Sequence, residues 1–199
     1  KTKTDKVDSR TIAMMLMSNV ALKPYTDTSY HNEELKSLSR YRFTKVQERA
    51  KLKTSVTRLV QILFPELEKL VATLHMTSIY SLLEEYPGAS YIASAHLTKL
   101  TNLLNETSKS HYNRDTAIKF REAARNSIAS VMPAKSLELK HTIKLIRELT
   151  IEINEIDNEI KKIMDNIASP ITTIPGIGYS MGAMIISEIG DFSRFFFSG

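Results

Sequence analysis

Asp5 and Asp8 stand three residues apart in Lys3-Thr4-Asp5-Lys6-Val7-Asp8-Ser9-Arg10, a spacing that puts both carboxylates on one face if the stretch is helical. Held that way they supply part of a site for a hard divalent cation, with Lys3, Lys6 and Arg10 nearby to meet phosphates. An acidic first turn that only complements the helix dipole explains the same two residues. A second stretch with chemistry in it is Ile174-Pro175-Gly176-Ile177-Gly178, because four of the chain's six glycines fall between Gly176 and Gly190. Pro175 fixes φ, while Gly176 and Gly178 let the backbone approach a partner closely. The N–H groups that open the next helix lack internal acceptors, and a phosphate fits them. The stretch reads either as a helix-hairpin-helix gripping a nucleic-acid backbone without reading bases, or as a corner that needs glycine only for its turn.

The third feature is charge. Between Arg40 and Arg58 seven basic residues, Arg40, Arg42, Lys45, Arg49, Lys51, Lys53 and Arg58, face the single acid Glu48. A helix carrying them can follow a phosphate backbone and release counterions, which makes binding salt-sensitive; a merely solvated surface is the alternative.

These residues need elements to hold them. Thr4 or Asp5 caps a helix that becomes apolar at Ile12-Ala13-Met14-Met15-Leu16-Met17. Residues 21–32, with Pro24, Asp27 and Asn32, show no period and read as a linker. A long helix is predicted over 33–64, with an apolar stripe through Leu35, Leu38, Val46, Leu52, Val56, Leu59, Val60 and Leu63. Phe64-Pro65 ends it, and shorter helices over 66–74, 78–86, 94–104 and 114–128 form a small insert. From Lys135 to Ile167 apolar residues recur every three or four positions through Leu139, Ile143, Ile146, Ile153, Ile160 and Ile163, which predicts a coiled coil. Its partner is either the helix at 33–64 or a second chain, making a homo-oligomer. No strand is predicted, so the fold class is all-α.

With 199 residues, 42% of them apolar, the chain can bury a core; its net charge of +5 modestly favours an anionic partner. Cysteine is absent, which excludes disulfides and thiolate metal sites and fits a cytoplasmic protein. His96 and His111 are too far apart and too isolated to suggest a metal site. No apolar run approaches the roughly 20 residues that span a bilayer, so no membrane partner is expected. The polar start without Met and the final Phe195-Phe196-Phe197-Ser198-Gly199 give both ends the look of a piece cut from something longer.

Taken together, the segment Lys3 to Ala13, the Arg-rich helix ending Phe64-Pro65-Glu66, and Ile174-Pro175-Gly176-Ile177-Gly178 through Gly190-Asp191-Phe192-Ser193-Arg194-Phe195 resemble the DEDD insertion-sequence transposases, recombinases guided by a bridge RNA. The resemblance implies three regions: residues 1–22 as the end of an RNase H-like domain, 29–168 as a helical coiled-coil region, and 169–199 as the start of a C-terminal transposase domain with the helix-hairpin-helix. It implies that Asp5 and Asp8 are the last two acids of a catalytic tetrad that binds Mg²⁺ in the full-length enzyme. It further implies DNA and guide RNA as partners, contacted through Arg40, Arg42, Lys45, Arg49, Lys53, Gly176, Ile177 and Gly178. The nucleophilic serine belongs to a later Ser-Gly; Ser198-Gly199 follows the hairpin too closely to be it. The piece is therefore expected to bind but not cleave. Two other readings compete, a non-enzymatic helical scaffold and a structure-specific nuclease subunit.

Overall fold

The computed structural model of the chain describes residues 5–18, 30–167 and 169–190, with side chains described from Val7 and, in the second segment, from Glu33. The linker around Pro24, the Phe195–Phe197 triplet and Ser198-Gly199 lie outside the described residues. Within them every regular element is a helix. In chain order these are α1 (Asp5–Met17), α2 (Tyr30–Leu63), α3 (Leu67–Leu70), α4 (Thr77–Glu85), α5 (Ala89–Ser94), α6 (Leu97–Thr107), α7 (Arg114–Arg125), α8 (Pro133–Ile167), a single 3₁₀ turn (Pro170–Thr173) and α9 (Tyr179–Ile189).

Two long helices, α2 with 34 residues and α8 with 35, pack side by side and form the frame. They run antiparallel: Arg42 meets Asp157, Lys45 meets Glu152 and Arg49 meets Thr150. Pro133 opens α8 at its first position, where a missing N–H costs nothing. Across the far end of the frame lies the insert α3–α7. Its helices pack on one another, α4 also packs on α8, and all share one core with the end of α2 and the start of α8. Val56, Leu59, Val60, Leu63 and Phe64 enter that core from α2 and the residue after it; Leu139, Ile143 and Ile146 enter from α8; Phe120 and Leu100 come from the insert. Asn113 caps α7 by accepting the Thr116 N–H at 3.0 Å. Glu66 pins the chain after α7 by accepting the Ser127 hydroxyl at 2.5 Å and the Ile128 N–H at 3.2 Å.

A second, smaller core sits at the other end of the frame. Leu35 of α2, Ile156, Ile160 and Met164 of α8, and Ala183 and Ile186 of α9 close on one another there. Gly182 makes this possible, because a Cβ on it would stand 3.0 Å from Ile171 Cγ2 and 3.3 Å from Met164 Cε.

The helix predicted over 33–64 is observed over Tyr30–Leu63, and the one predicted from Lys135 begins at Pro133. The helix predicted over 94–104 is observed over Leu97–Thr107, and a separate, unpredicted short helix, Ala89–Ser94, precedes it, with Ala95 and His96 in extended backbone between them. The apolar stripe of α2 is continuous only towards its ends. Around residues 42–52 the seam with α8 is half-exposed and polar, and charged side chains bridge it. None of the extensive helix packing among the described residues involves α1, which exposes Val7, Ile12, Met14, Met15, Leu16 and Met17.

Candidate nucleic-acid interface

The structure gives the cations of α2 different surroundings. Arg40, the outermost, turns the Nε–Nη2 edge of its guanidinium to Glu188 of α9, with Nη2 at 3.0 Å from Oε1, and Lys36 approaches the same carboxylate at 3.7 Å. Arg42 is half-buried and donates from Nε to Asp157 Oδ1 at 2.5 Å and from Nη2 to Oδ2 at 3.2 Å. Ser180, in the first turn of α9, donates its hydroxyl to the same Asp157 at 2.7 Å, so one carboxylate ties three helices together. Burial alone would raise the Asp157 carboxyl pKa; the hydrogen bonds from Arg42 and Ser180 and the charges of Arg42 and Arg49 hold it below its ordinary value. Lys45 reaches Glu152 at 2.7 Å, and that hydrogen bond holds its pKa above the usual lysine range.

Arg49 meets no carboxylate within ion-pair distance; its Nη1 donates to the Thr150 hydroxyl at 3.2 Å. Lys53, one turn further on, is half-buried, and its ammonium makes no hydrogen bond or ion pair among the described residues. Lys51 is exposed, and Arg58 donates to the Ser55 hydroxyl at 3.4 Å. The five cations singled out from sequence therefore divide: Arg40, Arg42 and Lys45 pair directly with acids of α8 and α9, while Arg49 and Lys53 form no ion pair among the described residues.

The α2–α8 pair is flanked by two grooves of unlike charge. One is lined by Lys45 and Lys51 together with Glu48, Glu148 and Glu152. The other, between α2, α4 and α8, is lined by Arg49, Lys53 and Arg147 with His75, and no carboxylate lines it. Sequence reasoning missed His75, in the turn before α4, and Tyr80 and Arg147, on helices with no basic excess of their own. The signal was spacing: Arg147 lies one turn before Thr150 and Ile151 on α8, and only the antiparallel pairing carries it to Arg49.

At the elbow, α8 ends at Ile167, the 3₁₀ turn follows, and Gly178 leads into α9. Ser169 caps the 3₁₀ turn by accepting the Ile171 N–H. Gly176 needs glycine, since its φ is +89°, and its missing Cβ would face open space. Gly178 also faces open space, and Ile177 is half-buried with its N–H donated to Ile174 O at 3.0 Å. Gly178 supplies no side-chain cap to α9. The elbow thus lies open rather than sealed in the core. It stands at the opposite end of the frame from the insert, on the side of the smaller core.

Asp5 and Asp8 occupy the first two turns of α1, on one helical face by backbone position, and Asp8 is half-exposed. Among the described residues no three His, Cys, Asp or Glu side chains come together in a way that could hold a metal ion. His96 and His111 are exposed, far from one another in sequence and part of no such group. No described helix is long and apolar enough to cross a membrane.

No curated protein matches the chain. Residues 1–65 match the model of the DEDD insertion-sequence family described as "Transposase", a match that takes in α1 with Asp5 and Asp8 and the whole of α2 with its five singled-out cations. Over its first third, the chain is similar to transposases.

Proposed function

We propose that this chain is the helical part of a DNA transposase, one that binds nucleic-acid backbone in insertion-sequence transposition. The observation that carries the proposal is the family match over residues 1–65, because it unites the helix that bears Asp5 and Asp8 with a strongly basic one. In this reading Arg49 and Lys53 of α2, with Lys51 and Arg58 on the same helix, meet phosphates. The open amides of Gly176 and Gly178, on either side of Ile177, make a second contact at the elbow. Arg40, Arg42 and Lys45 contribute to the field around the helix while their hydrogen bonds fix α8 and α9.

Asp5 and Asp8 fit part of a Mg²⁺ site, since that ion is commonly held by one or two carboxylates plus phosphate oxygens and water. The ion would neutralise charge on a phosphodiester during strand transfer. The carboxylates would fix its position from one helical face, and Lys6 and Arg10 on α1 would add positive charge beside it. The remaining acids and the nucleophilic serine of the family pattern are further requirements, so residues 1–199 are expected to bind without cutting. A bridge RNA is the second polyanion this reading calls for, and pairing of two chains through the α2–α8 frame is its expected assembly.

The test is a binding titration of duplex DNA at rising salt. An affinity that falls steeply with salt supports the reading, as does its loss in the Lys51→Glu, Lys53→Glu, Arg58→Glu triple variant. No measurable binding at low salt overturns it. The uptake of Arg40, Arg42 and Lys45 by internal acids favours a scaffold as the second reading, in which the triple variant behaves as the parent does.

A further inference from the structure

We infer that the groove between α2, α4 and α8 is a phosphate pocket, shaped for a phosphate carried on a nucleotide-sized ligand. It is a cavity of about 440 Å³, larger than a lone phosphate needs and within the range of small-ligand sites. Its cations come from two helices: Arg49 and Lys53 lie on α2 and Arg147 on α8. No carboxylate lines it, in contrast to the groove on the other side of the same helix pair.

Each cation has charge or donors to spare. The Lys53 ammonium makes no hydrogen bond or ion pair among the described residues, and the Arg49 guanidinium spends a single N–H on Thr150. Arg147 forms an ion pair with Glu84 at 2.8 Å and donates from Nη2 to the Ser81 hydroxyl at 2.9 Å, and its Nε is buried with no partner among the described residues. Glu84 offsets one positive charge from outside the lining, so an anion entering the pocket meets a net positive wall. Thr77 opens α4 at the rim, and its N-cap, Met76, gives that helix no side-chain acceptor.

Besides charge, the pocket has a face for the rest of the ligand. His75 and Tyr80 are joined Nδ1 to hydroxyl at 2.9 Å, their rings edge to face, and Ile146 adds an apolar wall. Burial pushes the Tyr80 hydroxyl up to about 12 despite the charges of Arg49 and Arg147, so it is neutral and able to donate a hydrogen bond. Buried donors beside guanidinium forks bind phosphate oxygens strongly, and an aromatic pair accepts a sugar or base. The inference rests on the nucleic-acid reading in one respect only, that the phosphate arrives on a nucleotide.

The test is NMR titration of the ¹⁵N-labelled full chain with four probes: thymidine 5′-monophosphate, the dinucleotide TpT with its single internal phosphodiester, inorganic phosphate, and thymidine. The expected result is saturable shifts at His75, Thr77 and Lys53 with the phosphate-bearing probes and none with thymidine. Monophosphate above TpT assigns a strand end, TpT above monophosphate a strand interior, and inorganic phosphate above both a free anion. Lys53→Glu should weaken the best probe at least tenfold with an unchanged melting temperature, and Lys53→Gln should weaken it less. Equal binding of thymidine, shifts elsewhere, or unaltered affinity in Lys53→Glu overturns the pocket. If duplex DNA still binds in a salt-dependent way, only the pocket falls; if nothing polyanionic binds, the nucleic-acid reading falls with it.

Discussion

Asp157 shows how one side chain decides between competing uses of a charge. It accepts from Arg42 and from Ser180, and both partners are lost if its carboxylate is lost. Asp157→Asn should destabilise the fold by about 1 kcal/mol at neutral pH, because the pair is partly solvated and exposed pairs contribute little. Since its pKa is lowered on folding, the stabilisation is complete above the unfolded-state value near 3.8 and fades as pH falls through the lower folded-state value. Denaturation midpoints of parent and variant should therefore differ at pH 7, begin to approach one another near 3.8 and converge only below the lowered folded-state value.

His75 behaves in the opposite chemical sense. Burial first and the charge of Lys53 second lower its pKa from 6.5, so it charges only at a lower pH than an exposed histidine. An NMR titration should place its midpoint under 6.5, and Lys53→Gln should raise that midpoint without restoring it, since burial is the larger cause. Its contribution to stability is complete above 6.5 and is lost as pH falls through the lowered folded-state value.

Among the elements, α8 joins the two cores, and its two halves have different partners. Ile143 is fully buried in the large core, and Ile143→Ala should cost about 2–5 kcal/mol in chemical denaturation. The small core holds α9 with fewer side chains, chiefly Ala183 and Ile186 against Ile156, Ile160 and Met164. Amides of α9 should therefore exchange with deuterium sooner than those of α8 from Leu139 to Ile146. Gly182→Val should widen that difference and destabilise by about 1–3 kcal/mol, because the β-branched side chain has to displace Ile171 and Met164. If exchange in α9 instead matches that of the α8 centre, the two cores are one cooperative unit. At this scale the sequence was largely legible. The three- and four-residue steps of Leu139, Ile143 and Ile146 are local information, and they placed α8 within two residues of its start. The break at Ala95-His96 was not legible, since no proline or glycine marks it.

For the whole molecule, the deciding quantity is where positive charge remains after folding. Mixed charge on one side of the α2–α8 frame and a net positive lining on the other, where only Arg147 is offset by Glu84, give the protein a sided field, which favours an anionic partner along one groove. Duplex affinity should fall roughly as a power of salt concentration, with each neutralised phosphate adding about −0.9 to the logarithmic slope. Removing Lys51, Lys53 and Arg58 together should flatten that slope by about two to three, as measured by fluorescence anisotropy across salt. Removing Arg40 should flatten it less, because Glu188 already screens that charge.

The sequence by itself determined that the chain is helical, where its long helices run and that α2 is strongly basic. Those properties depend on neighbours within one or two turns. Only the tertiary structure decided which cations are spoken for, because the acid that meets Arg42 lies 115 positions away and the one that meets Arg40 lies 148 away. It also decided that Arg147, on a helix of mixed charge, joins Arg49 and Lys53 around one cavity. Helical periodicity says which face a residue occupies; antiparallel packing says what that face meets.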